Sequence, residues 1–160
     1  MPKDNGSGND NGNVVDVDPK LVPTDEDIRP AVNDNVVAID PKLVRTDEDI
    51  REAVNLWCSD RVAAQEEYGH ISQWDTSAVT NMSQLFEGKE GFNDDISPWN
   101  VSNAISMYCM FQGASSFNQP LGQWNVGNVT TMQEMFAGTH AFDQPLEQWN
   151  VSNVTVCIML

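Results

Sequence analysis

Side chains able to do chemistry are few and scattered in this sequence. His70 and His140 stand alone, with no Cys or Asp at metal-ligand spacing. Cys58, Cys109 and Cys157 are an odd number at wide intervals, neither a disulfide framework nor a zinc pattern, and read as small buried apolar side chains. Asp94-Asp95 is the one acidic pair within the aromatic-rich part of the chain. Neighbours in sequence do not make a general acid and base, and the pair replaces Gln119-Pro120 of the following segment, so it reads as loop. The stretch Asp4 to Gly12 mixes Asp, Asn and Gly as calcium loops do, but lacks their ordered ligand spacing and closing Glu. There is no glycine-rich phosphate loop, no His-Glu-x-x-His and no nucleophile elbow. No catalytic, cofactor-binding or metal-binding residue is therefore assigned, and the expectation is a protein without enzymatic activity or cofactor.

Charge narrows the partners. The net charge is −16, from 24 acidic and 8 basic residues, and no basic stripe exists to meet phosphates or anionic lipid. Nucleic acid is excluded on that ground, and membrane insertion because no apolar run approaches the length of about 18 residues a span needs. The acidity is uneven: from Trp99 onward the only charged residues are Glu134, Asp143 and Glu147, so the rest reads as solvated surface and tail. The polar start, Met1 to Asn13, has no apolar core of a signal peptide. Six Asn-x-Ser/Thr sequons, at Asn5, Asn81, Asn100, Asn128, Asn150 and Asn153, fall mostly inside a recurring motif and read as by-products of it.

That motif organises the chain. Trp74, Trp99, Trp124 and Trp149 are spaced by 25 residues, and the register extends through each unit. Met82, Met107 and Met132 keep it, as do Phe86, Phe111 and Phe136, then Gly88, Gly113 and Gly138, then Phe92, Phe117 and Phe142. Trp-Asn-Val-Ser-Asn-Val-Thr (149–155) reads as a short extended segment with Asn-bearing bends. Met107, Met110 and Phe111 have the spacing of one helical face, and Gly113 suits the left-handed residue that ends such a turn. One unit cannot bury its own Trp, Met and Phe, but a stack in register can, so these positions read as a core ladder rather than a cofactor box. Asn100, Asn125 and Asn150, with Asp75 in the first copy, are expected to pair with the backbone of adjacent coils.

A second repetition lies upstream, where residues 13–33 and 35–55 agree at 17 of 21 positions. In the second copy Thr46 is a good N-cap, Asp47, Glu48 and Asp49 suit a positive helix end, and Ile50, Val54 and Trp57 share a face. The first copy has Pro30 where a helix needs a donor. A further helix is expected from Ser59 or Asp60 to Tyr68, stopped by Gly69. The expected organisation is a flexible acidic linker over 1–44 with a degenerate duplicated segment, a helical N-terminal cap over 45–73, and repeats at 74–98, 99–123, 124–148 and, in part, 149–160. The fold class is an α/β repeat solenoid, leucine-rich-repeat-like, with a short strand and a short helical turn per repeat.

The residues Trp-Asn-Val-Ser-Asn-Val-Thr (149–155), Met-Phe (110–111 and 135–136) and Ser-Phe-Asn-Gln-Pro-Leu (116–121), with the period, resemble the BspA-type surface-protein repeat. This is a repeat of unknown function in mycoplasma and other bacterial lipoproteins, also present in unicellular algae. The stretch from Asp49 through Tyr68-Gly69-His70-Ile71 to Trp74-Asp75-Thr76-Ser77 resembles the algal-type members. The resemblance implies a leucine-rich-repeat-like solenoid at a cell surface, engaged in adhesion or protein contact, with a protein or glycan as partner. The alternative is a truncated structural remnant without a ligand, because the sequence stops at Leu160 inside the turn of the fourth unit. Weak self-association is expected there, through the open coil at 149–160.

Overall fold

The structure, a computed structural model, describes residues 38–155. The duplicated segment at 13–33, and with it most of the expected linker, lies outside them. A 3₁₀ turn at Pro41–Leu43 leads into strand β1, Val44–Thr46. The boundary drawn at residue 44 therefore falls at the start of a strand. Helix α1 spans Ile50–Ser59, and its buried face is Ile50, Ala53, Val54 and Trp57, the i, i+3, i+4, i+7 set. It starts later than Thr46. The Thr46 N–H donates to Asp49 Oδ1 at 2.8 Å, which folds the three residues between strand and helix into a turn. Asp60 ends α1, its N–H donating to Leu56 O at 2.7 Å, and caps α2, Arg61–Tyr68, by accepting from Ala63 N–H at 3.1 Å. Gly69, at φ 73°, closes α2 where a side-chain-bearing residue would be strained.

After a 3₁₀ turn at Ile71–Gln73, strand β2, Asp75–Ala78, pairs in parallel with β1. Beyond it the described residues of the repeats carry single parallel bridges, Asn81 to Ser106 and Ser106 to Thr131. The strand expected in every repeat is present in the first as β2, and the described later repeats show turns at the strand and helix positions. After Trp99 the segment bends instead of extending: Asn100 Oδ1 accepts from Ser102 N–H at 3.1 Å, and Ala104 N–H donates back to Val101 O at 2.9 Å. Around the Met and Phe positions the N–H groups alternate. Those of Met107, Cys109, Phe111 and Gly113 donate to the carbonyls of Thr131, Gln133, Met135 and Ala137, at 2.8–3.0 Å. Those of Met110 and Gln112 turn back to Met107 and Cys109, each at 3.2 Å.

This is a run of tight turns stitched to the next coil. A helix is blocked at one recurring residue, Gln84, Cys109 or Glu134, which sits in the left-handed region at φ 60°, 50° and 55°. In an α-helix the Phe111 N–H would seek Met107 O, but it donates to Met135 O at 2.9 Å. The same pattern links Met82, Gln84, Phe86 and Gly88 to Ser106, Tyr108, Met110 and Gln112, so consecutive 25-residue segments lie side by side in register.

Candidate functional site

The residues singled out by the period meet in the interior. Trp74, Trp99 and Trp124 are buried, as are Met82, Met107, Met132, Phe86, Phe111, Phe92 and Phe117. Phe136, Phe142 and Trp149 are partly buried against them. Phe86, Phe111 and Phe136 form one column, with centroids 5.3 and 5.5 Å apart and nearly parallel planes. Phe92, Phe117 and Phe142 form a second, at 5.7 and 6.0 Å, and each coil packs one ring of each column together at 4.1–4.3 Å. Trp99 stacks on Trp74 at 6.0 Å. Each of these later indole N–H groups reaches a carbonyl 28 residues earlier in the chain: Trp99 with Ile71, Trp124 with Ile96 and Trp149 with Leu121, at 2.8–3.3 Å. A buried indole left without an acceptor would be destabilising, so this bond fixes the position of each coil on the last. These side chains hold the scaffold together.

The polar residues divide the work differently from the expectation. Asp75, Asn100, Asn125 and Asn150 do not reach adjacent coils; each side chain accepts from the N–H two residues on, shaping its own bend. The residues that cross are Asn103, Asn128 and Asn153, whose Nδ2 groups donate to Ser77, Ser102 and Gly127 carbonyls at 2.6–2.7 Å. Asn93 and Asn118 also cross, accepting from Asn118 and Asp143 N–H and from the Gln119 and Gln144 amides. The period itself contains the signal for these, since they recur every 25 residues beside the bend residues.

The chemically capable groups are dispersed. His70 packs edge-on against Trp57, centroids 5.0 Å apart, with Nδ1 beside the Ser72 hydroxyl at 2.8 Å. His140 is exposed. Cys109 is buried as expected, but Cys58 is exposed at the end of α1, and Cys157 lies outside the described residues. Partial burial pushes the Cys58 thiol up and Asp94 adds to this, while Lys89 and Arg61 offset it only in part, so it stays protonated rather than thiolate. It borders an open cavity of about 300 Å³ with Arg61, Lys89, Glu90, Gly91 and Phe92. Asp94 is occupied, accepting from Trp57 Nε1 at 3.0 Å and Arg61 at 2.7 Å, and Asp95 caps its own turn through Ser97. Among the described residues, no three His, Cys, Asp or Glu side chains converge as a metal site, and no helix is long and apolar enough to cross a membrane.

Recurrent coils in register, each cross-bonded to the last through the same positions, define a repeat protein. The family model described as "Mycoplasma protein of unknown function, DUF285" matches residues 57–159, and the chain belongs to that repeat family. Neither a curated protein nor a solved structure matches the chain.

Proposed function

We propose that this chain is a non-catalytic binding module of the BspA type: a short leucine-rich-repeat-like solenoid presenting a regular outer surface to a protein or glycan partner, as in adhesion. The observation that carries the reading is the division between interior and exterior. The aromatic columns and backbone ladder make adjacent coils rigid, while the outside of the coils from Trp99 to Thr155 is almost uncharged, with Glu134, Asp143 and Glu147 its only charged side chains. A rigid polar surface loses little conformational entropy on binding, which favours recognition. The cell surface is the proposed location, in line with the surface-protein resemblance.

The test immobilises the full chain and presents a panel of extracellular proteins and neutral polysaccharides. Saturable binding to a panel member, with no chemical change in it, is the expected result. No saturable binding across the panel, or turnover of any member, counts against the reading.

A further inference from the structure

Among the described residues of the coils, the large apolar side chains left exposed are Ile105, Tyr108 and Val151, and the first two stand where the neighbouring coils are polar. At two ladder positions the neighbouring coils carry Thr80 and Thr130, and Ser83 and Gln133; the middle coil carries Ile105 and Tyr108 instead. Both are exposed, Ile105 at 46% and Tyr108 at 37%, and they are separated by a single turn of the coil. Large apolar side chains in water at corresponding places of a repeat are an energetic cost that a polar residue would avoid, as it does on either side.

The two flanking coils each contribute a carboxylate nearby, Glu87 from the coil before and Glu134 from the coil after. Both are held by amides: Gln84 Nε2 donates to Glu87 at 2.7 Å, and Gln112 Nε2 donates to Glu134 at 2.8 Å. Hydrogen bonding with Cys109 is the largest of the effects that raise the Tyr108 phenol above its usual value, and the carboxylates of Glu134 and Glu87 add to it. The sequence from Glu90 onward contains no lysine or arginine, so Glu134 has no cation on its own or a later coil. Lys89, by contrast, stands two residues from Glu87, and Arg51 of α1 donates to Ser83 O at 2.6 Å, at the preceding-coil position that matches Tyr108.

From this arrangement we infer that Ile105 and Tyr108, flanked by Glu87 and Glu134, form a docking patch for a protein segment that presents an apolar side chain between lysines or arginines. The apolar side chain would cover Ile105 and Tyr108, and the cations would meet the carboxylates. The inference rests on the reading of the chain as a binding module and names the partner that module would take.

The probe is a labelled synthetic peptide alternating leucine and lysine, titrated into the full chain, beside a counterpart with glutamate in place of lysine. The acidic chain attracts any cation, so the comparison lies between variants. Ile105→Thr with Tyr108→Ser installs residues found at the matching positions of other coils and keeps every charge. Glu87→Gln with Glu134→Gln keeps the apolar pair, and Glu66→Gln with Glu67→Gln removes the same charge from α2. A thermal midpoint for each establishes folding. The first two variants are expected to raise the Kd for the leucine–lysine peptide by about tenfold, as loss of central contacts does. The third is expected to leave it unchanged, and the glutamate peptide not to bind. Equal affinity of the wild type and the Ile105/Tyr108 variant overturns the inference, as does equal weakening by the two charge variants. A panel partner that binds both the wild type and the Ile105/Tyr108 variant equally well sinks the patch while leaving the module reading standing.

Discussion

The joint between the cap, residues 45–73, and the coils adds charged side chains to the neutral bonds that the coils use among themselves. Between coils most bonds are neutral and repeated, the Gln112 amide to the Glu134 carboxylate apart. The N–H of Ile105 donates to Thr80 O, that of Thr130 to Ile105 O and that of Thr155 to Thr130 O, at 2.8–2.9 Å. The first coil has no predecessor, and here Asp47 takes the place of the missing carbonyl: its Oδ1 accepts from Thr80 N–H at 2.8 Å and Asn81 N–H at 2.9 Å, and its Oδ2 from the Thr80 hydroxyl at 2.6 Å. The cap adds Arg51 to Ser83 O and the Arg61–Asp94–Trp57 cluster. Arg45, buried, pairs with Asp49 at 3.0 Å and lies 4.6 Å from the Tyr68 ring centre and 5.6 Å from that of Trp74. A repeating interface can be satisfied by one neutral pattern used many times, whereas a terminus needs side chains suited to a single place.

The largest expected effect tests the neutral side of this contrast. Trp99→Ala removes a ring stacked on Trp74 and the indole bond to Ile71 O, and buried Trp truncations typically cost about 3–5 kcal/mol. Against a typical domain stability of about 5–15 kcal/mol this is a large loss. Gln123→Ala, whose exposed amide reaches only Gln148 at 3.2 Å, should change the unfolding midpoint little. Chemical denaturation of both variants checks it, and equal midpoints would show that the aromatic stack does not hold the coils together.

Asp47 comes next and tests the charged side. Asp47→Ala should destabilise by about 0.5–2 kcal/mol, the range for losing a side-chain cap on backbone N–H groups. Partial burial pushes the Asp47 carboxyl up, but the Thr80 hydroxyl, the Asn81 and Thr80 N–H groups and Arg51 together outweigh it, so the group lies below its usual value. A carboxyl depressed in the folded state contributes stability that is full above its unfolded value and lost as pH falls through the folded one. The wild type should therefore be more stable than Asp47→Asn at neutral pH, and the gap should close in acid below the ordinary carboxylate range. Thermal midpoints across that range check the sign, and a gap that widens on acidification would show that the carboxylate's charge is not what caps the coil.

The two regions also differ in what sequence could reveal. The Trp, Met and Phe positions were legible because every coil buries the same side chains, so 25-residue spacing exposes them. Backbone shape was not: Met107, Met110 and Phe111 fit a helical face, and consecutive turns place the same side chains inward. What separates the two is the destination of the N–H groups, which lies in another coil. In the cap, Ile50, Val54 and Trp57 could be placed on one face, whereas Asp47 read as a helix-end charge because its partner Thr80 stands 33 residues away. The Ile105 and Tyr108 patch left a trace in sequence only as a departure from the pattern, the kind that a search for regularity passes over.

A smaller effect separates the two kinds of Asn. Asn128→Ala removes one cross-coil bond, to Ser102 O at 2.7 Å, at a place open to water, and should cost about 0.5–1.5 kcal/mol. Asn125→Ala removes a bond within one bend, to Gly127 N–H at 3.2 Å. Hydrogen exchange distinguishes them: loss of the cross-coil bond should lower protection in both adjoining coils, and loss of the bend bond only locally. Matching protection patterns would mean that the coil-to-coil amides are dispensable.

The smallest effect concerns the left-handed residue in each coil. Gln84 sits at φ 60°, a conformation that costs a side-chain-bearing residue about 1–2 kcal/mol. Glycine would relieve that strain, at about 0.5–1 kcal/mol of additional entropy lost on folding. Its amide bond to Glu87 is exposed and contributes little net stability. The balance for Gln84→Gly is therefore near zero or stabilising by up to about 1 kcal/mol. Gln84→Val, β-branched in the same conformation, should lose stability instead. The pair of denaturation curves checks the turn description directly. In a helical turn glycine would be the worse residue and valine nearly neutral, so the order of the two variants reverses if the Met–Phe segment is helical.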